Sequence, residues 1–191
     1  MPTKIEIDAY KFEELEGKAK ARARGWYIDG LTWNWWEYTY ESWVEKLAEK
    51  GINTNAKQIQ FSGFSSQGDG ASFTGTLDVP KFMLAHNMVT GGSLLLYAEA
   101  LEGNVSLKLV RQNPRYSHYS TVRLEHSLDF EYEKDNDYGS FVLVVEIICH
   151  GYMKELYLEL EQEYEYMCSD EHIVENCASN DYKFNKNGSL I

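Results

Sequence analysis

The sequence predicts an α+β fold: a single domain with an antiparallel sheet of about four strands, packed with a tryptophan-rich helix and a long acidic C-terminal helix. Trp33, Trp36, Tyr40, Trp43, Val44 and Leu47 follow one another at steps of 3, 4, 3, 1 and 3, a helical phase. Apolar and polar residues alternate over 58–64, 71–77, 105–110 and 118–124, which gives two candidate hairpins. Val142, Val145, Cys149, Tyr152, Leu156, Leu160, Tyr164 and Met167 hold one helical phase, and this outweighs a local β-preference worth about 1 kcal/mol per residue in the Val- and Ile-rich stretch 141–148. A length of 191 residues fits one domain, 1–191, with residues 1–30 as a peripheral N-terminal helix and 121–191 as an acidic, mainly helical region.

Taken in order, residues 9–23 predict a short helix with a weak apolar face and a basic end at Lys18, Lys20, Arg22 and Arg24, closed by Gly25. The tryptophan-rich helix starts from an Asn34/Glu37 pair with capping-box spacing and stops at Gly51. Trp35 and Tyr38 point off its main stripe and need a second surface, either another layer of the fold, the preferred reading, or a partner. The first hairpin turns through the Gly-rich stretch 65–70. Residues 81–87 read as one or two helical turns, and residues 93–101 as a short helix capped by Ser93 and stopped by Gly103. The second hairpin turns around Pro114. The long helix carries Gly151 as a possible bend, Ser169 restarts a short helix with Asp170 and Glu171 in its first turn, and Tyr182 to Phe184 begins an extended tail.

The formal net charge is −12, and residues 121–191 hold 16 acidic against 5 basic groups. Such a surface repels phosphate backbones and anionic headgroups, so neither direct nucleic-acid binding nor membrane association is expected. Cys149, Cys168 and Cys177 lack CxxC spacing, which fits a reduced cytoplasmic chain. His86, His118, His126, His150 and His172 are scattered without metal-ligand spacing; no metal site and no cofactor are expected.

Two clusters could bind a small ligand. In the first, Ser62, Gly63, Ser65, Gln67 and Asp69 surround a Gly-rich turn whose amides could face an anion, although the turn of a hairpin explains the same residues. It lacks the Lys-Ser/Thr of a phosphate loop and the following helix of a dinucleotide fingerprint. In the second, Arg115, Tyr116 and His118 place a guanidinium, a phenol and an imidazole within a few residues. If the hairpins lie side by side, Asp69 approaches His118, the minimum for a hydrolytic base, yet no nucleophile elbow accompanies them. A third feature is the row Glu155, Glu159 and Glu163, which could imitate phosphates or dock to a basic protein surface, or be a solvated helix face.

The phrase Phe61-Ser-Gly-Phe-Ser-Ser-Gln-Gly-Asp-Gly-Ala-Ser-Phe73, preceded by Trp35-Trp-Glu-Tyr38, resembles a widespread family of small bacteriophage proteins of unassigned activity. Arg115-Tyr-Ser-His118, Leu160-Glu-Gln-Glu-Tyr-Glu-Tyr166 and Ser169-Asp-Glu171 are similar to its later motifs, and the resemblance spans about residues 33–188. It implies a phage protein made in the cytoplasm of an infected bacterium, and no catalytic residues. The leading expectation is therefore a non-enzymatic inhibitor that binds a host protein, a candidate anti-defence factor using the acidic row. The alternative is a binder that sequesters a nucleotide signal of host defence between the Gly-rich turn and Arg115/His118. A hydrolase using Asp69 and His118 comes last.

Overall fold

The computed structural model describes residues 8–31, 34–130 and 135–191. It has an α+β fold whose contacts divide the chain into two compact units, residues 36–161 and residues 1–35 with 162–191.

In the larger unit, α2 (Glu37–Glu49) leads into β1 (Ile52–Asn53), β2 (Ile59–Ser62), β3 (Gly70–Phe73), β4 (Gly75–Leu77), α3 (Val79–Ala85), α4 (Leu94–Leu101), β5 (Val105–Arg111), β6 (Val122–Leu128) and α5 (Asp135–Met167), whose last turn and a half, from residue 162, belongs to the smaller unit. α1 (Gly17–Gly30) precedes them in the smaller unit. A four-stranded antiparallel sheet has the order β1-β4-β5-β6, and β2 and β3 form a separate two-stranded sheet. The expected count of four is met by a different set of strands. The segment 71–77 is not one strand: it splits at Thr74, its first half pairing Ile59 with Phe73 and its second half pairing Gly75 with Leu109. Arg111 on β5 ties the two ladders together through an Nη2 hydrogen bond of 3.0 Å to Ser72 on β3.

α2 buries Tyr40, Trp43 and Leu47, the stripe that the periodicity predicts. Trp33 lies outside the described residues. The cap is Trp36 rather than Asn34, so the helix begins later than the Asn34/Glu37 spacing implies. Trp35 packs on Tyr164 at a ring separation of 5.8 Å, whereas Tyr38 is 82% exposed, against the expectation that both are covered. The stretch 141–148 is helical, as its phase requires: Val145, Cys149, Met153, Leu156 and Leu160 are fully buried along one face of α5. Each such side chain contributes about 1.5–3 kcal/mol relative to exposure. Glu146 fixes α5 against β6, accepting from Arg123 Nη1 and from the Leu124 amide, both at 3.0 Å.

The smaller unit is built from both ends of the sequence. α1, together with α6 (Asp170–Ser179), encloses a core of Phe12, Leu15, Ala23, Tyr27, Ile173, Cys177 and Phe184. α1 starts later than the residues 9–23 expected and runs through Gly25, because residues 12–14 form a separate short turn. Its basic side chains are not merely solvated: Lys20 and Arg24 reach Asp170 at 3.0 and 2.8 Å, and Arg24 Nη2 donates to the Cys168 carbonyl. Ser169 caps α6 as predicted, accepting from the His172 amide. Phe184 pairs with Tyr10 and Leu190 as the extended tail.

Candidate functional site

In the larger unit, the Gly-rich turn between β2 and β3, the segment before β6 and the middle of α5 enclose a cavity of about 290 Å³. Asp69, Gly70 and Ala71 form one wall, His118 and Tyr119 a second, and Met153, Lys154, Tyr157 and Leu158 a third.

The turn is built around one carboxylate. Asp69 Oδ2 accepts from the amides of Ser65 and Ser66 at 2.9 and 2.7 Å. Gly63 passes directly beneath it with φ +24°, where a Cβ would lie 2.8 Å from that oxygen. The Gly63 carbonyl accepts from Tyr157 Oη at 3.3 Å, which fastens the turn to α5. Phe64 stacks on Phe61 and leans on Tyr157, so the turn has an apolar anchor as well. Gly70 permits the second wall to close in: a Cβ there would stand 2.9 Å from His118 Cα.

The strand expected over 118–124 begins only at Val122; Tyr119–Thr121 is a short 3₁₀ turn capped by His118. That cap decides the imidazole's protonation. Nδ1 accepts from the Ser120 amide at 3.2 Å and lies 2.7 Å from the Ser120 hydroxyl, which leaves the ring proton on Nε2. Burial, then Lys154 and His150, hold the His118 pKa below its ordinary value, which favours the neutral ring. The Tyr119 ring lies 4.2 Å from that of His118, and Lys154 Nζ stands 4.3 Å above the Tyr119 ring, a cation–π contact.

Of the residues that the sequence singles out, Asp69 and His118 line the cavity. Gly63 and Ser65 shape the turn behind it, Ser62 pairs with Gly70 in the ladder, and Gln67 is exposed at the tip. Tyr116 rests on Gly68, and exposed Arg115 lies 5.6 Å from the Tyr116 ring, outside the lining. The two hairpin segments do meet. Their hydrogen bonds run to near neighbours: Asp69 Oδ2 accepts from the Ser65 and Ser66 amides, and His118 Nδ1, the nitrogen an aspartate orients in a catalytic pair, accepts from the Ser120 amide. The α5 wall escaped the sequence reading, although Lys154 is the only lysine or arginine in α5.

The acidic row is partly used inside the fold. Trp43, fully buried, donates its indole N–H to Glu159 at 2.9 Å, as a buried tryptophan requires. Glu155 lies 3.6 Å from Lys46 on α2, while Glu163 is exposed. Among the described residues no group of three or more His, Cys, Asp or Glu side chains could hold a metal ion, and no helix is long and apolar enough to cross a membrane.

The fold and the cavity together define an α+β protein with a ligand-sized pocket between a β-hairpin and a long helix. The chain belongs to the family described as domain of unknown function DUF8835, whose profile matches residues 35–170 and so takes in every residue of the cavity. No curated protein and no solved structure matches the chain.

Proposed function

We propose that this chain is a binding protein that retains a small anionic ligand in the hairpin–α5 cavity without turning it over. The supporting observation is the combination of apolar and aromatic lining with a single cation: Ala71, Met153 and Leu158 offer apolar surface, Tyr119 and Tyr157 offer rings, and Lys154 and the neutral His118 offer donors. A flat body would lie against the rings while its anionic group meets the ammonium. At about 290 Å³ the cavity is near the lower end of ligand pockets, the size of one base or a comparable ring system. The phage setting implied by the motif resemblance makes a nucleotide signal of host defence the first class to test.

The test is to incubate the protein with mononucleotides, cyclic dinucleotides and a bacterial nucleotide extract, then record native mass spectra. Stoichiometric retention of an unaltered small molecule is expected, weakened roughly 10–100-fold by Lys154→Ala, the range of one charge-assisted hydrogen bond. Nothing retained by the wild-type protein, or a ligand converted to product, would overturn the reading.

A second reading, an inhibitor docking on a host protein, is favoured by the charge excess in residues 121–191. Because Glu155 and Glu159 already have partners, charge reversal at Glu163 is the clean probe: unchanged capture of host protein from a lysate of infected bacteria counts against that reading.

A further inference from the structure

β3 has one edge paired with β2 and one edge without a partner strand. In an antiparallel ladder the amide and carbonyl of every second residue turn toward the partner, and those of the residues between turn away. The Thr74 amide donates to the Gln58 carbonyl at 3.2 Å, and the register runs on through Ser72 opposite Gln60 and Gly70 opposite Ser62. Gly70 and Ser72 therefore direct their backbone groups at β2. On β2 the intervening residues turn outward, as this phase requires: the Ile59 amide donates to the Ala56 carbonyl, and the Phe61 amide meets the Tyr40 hydroxyl.

Ala71 is in the outward phase on β3. Its N–H and C=O point away from β2, and among the described residues neither makes a hydrogen bond. Yet Ala71 is only 1% exposed, and a buried backbone donor and acceptor without partners are rare, because each has given up its hydration. Ala71 is also the one outward-phase residue of β3 that lines the hairpin–α5 cavity, whose other two walls carry Tyr119 and Tyr157.

We propose that the cavity recognises a nucleobase, and that the Ala71 N–H and C=O read its pairing edge. This rests on the retention reading above and names the ligand class of the same site. The N–H and C=O of one extended residue face the same way, a donor beside an acceptor. A base complements that pair, because its pairing edge sets a ring nitrogen or N–H next to an exocyclic amine or carbonyl. The Tyr119 and Tyr157 rings offer faces of the kind on which unpaired bases stack, and Lys154 offers the charge for a phosphate. A peptide adding a strand is the other ligand suited to a free sheet edge, but it needs successive residues of that edge. Here one residue is presented, in about 290 Å³, the room of one base.

Amide-resolved NMR of the isotope-labelled full chain tests this. In the free protein the Ala71 amide is expected to exchange with deuterium at least roughly tenfold faster than the Ser72 amide, which is held in the ladder. AMP, GMP, CMP, UMP and a cyclic dinucleotide are then titrated in, with ribose 5-phosphate, which has the sugar and phosphate but no base, as the control. A retained nucleotide moves the Ala71 amide resonance downfield and slows its exchange, whereas ribose 5-phosphate binds at least about tenfold more weakly and leaves that amide unmoved. Ala71→Pro deletes the donor without touching a ladder bond, so nucleotide retention falls by a similar factor while the Ser72 amide stays protected. If that variant does not fold, the Ala71 amide of the wild type still decides. An Ala71 amide as protected as that of Ser72 in the free protein, a retained nucleotide that leaves it unmoved, or retention only of a ligand without a base overturns the proposal and leaves the retention reading standing. A wild-type chain that retains no small molecule overturns both.

Discussion

Asp69 shows how one side chain can organise a turn. Its carboxylate gathers two amides of the turn, and Gly63 leaves it the room to do so. Gly63→Ala forces a Cβ against that carboxylate and strains a positive φ, so a loss of about 1–3 kcal/mol is expected. Calorimetry should show a midpoint several degrees lower, with weaker ligand retention, since the turn carries one wall of the cavity. His118 makes a pH-dependent contribution whose sign follows from its lowered pKa. The folded state binds the proton more weakly than the unfolded chain, so stability is present above the ordinary histidine value of 6.5 and declines as pH falls below it, levelling off at the folded-state value. Urea denaturation across pH 5–8 should show this decline, and His118→Gln should flatten it.

At the scale of elements, Glu146 is where α5 is fastened to the sheet, and its side chain is only 19% exposed. Glu146→Ala leaves the Leu124 amide without its acceptor and should cost about 1.5–3 kcal/mol by urea denaturation, with Glu146→Gln milder because its amide oxygen still accepts. The elements were legible wherever one periodic face meets one core. α2 and α5 show their buried stripes directly in the spacing of Tyr40, Trp43 and Leu47, and of Val145, Cys149 and Leu156. β1 escaped because two residues carry no alternation, and the split at Thr74 escaped because 71–77 alternates across both ladders. The turn beginning at Tyr119 reads as strand because a side-chain cap, not a periodicity, forms it. For the site, the sequence supplied the approach of the turn to His118; the wall of Met153, Lys154, Tyr157 and Leu158 needed the rotation of α5, which spacing alone does not orient toward a particular hairpin.

For the whole molecule, each unit carries its own buried thiol. Cys149 lies on the inner face of α5 in the larger unit, and burial pushes its pKa up to about 12. Cys177 lies in the core of the smaller unit, and burial raises its pKa too. Half-buried Cys168 is the thiol nearest to solvent. At pH 8 a maleimide is expected to label Cys168 first and to reach Cys149 and Cys177 only after unfolding. Mass spectrometry of pulse-labelled protein along a urea gradient then gives a separate unfolding curve for each unit, coincident if they melt together.

The pairing of Tyr10 with Phe184 also has a meaning in time. Residues 36–161 are continuous, so the larger unit can close on a ribosome as soon as they have emerged. The smaller unit must wait for Phe184, and until then Phe12, Leu15 and Tyr27 have no core to enter. During synthesis those N-terminal residues are the segment offered to a chaperone.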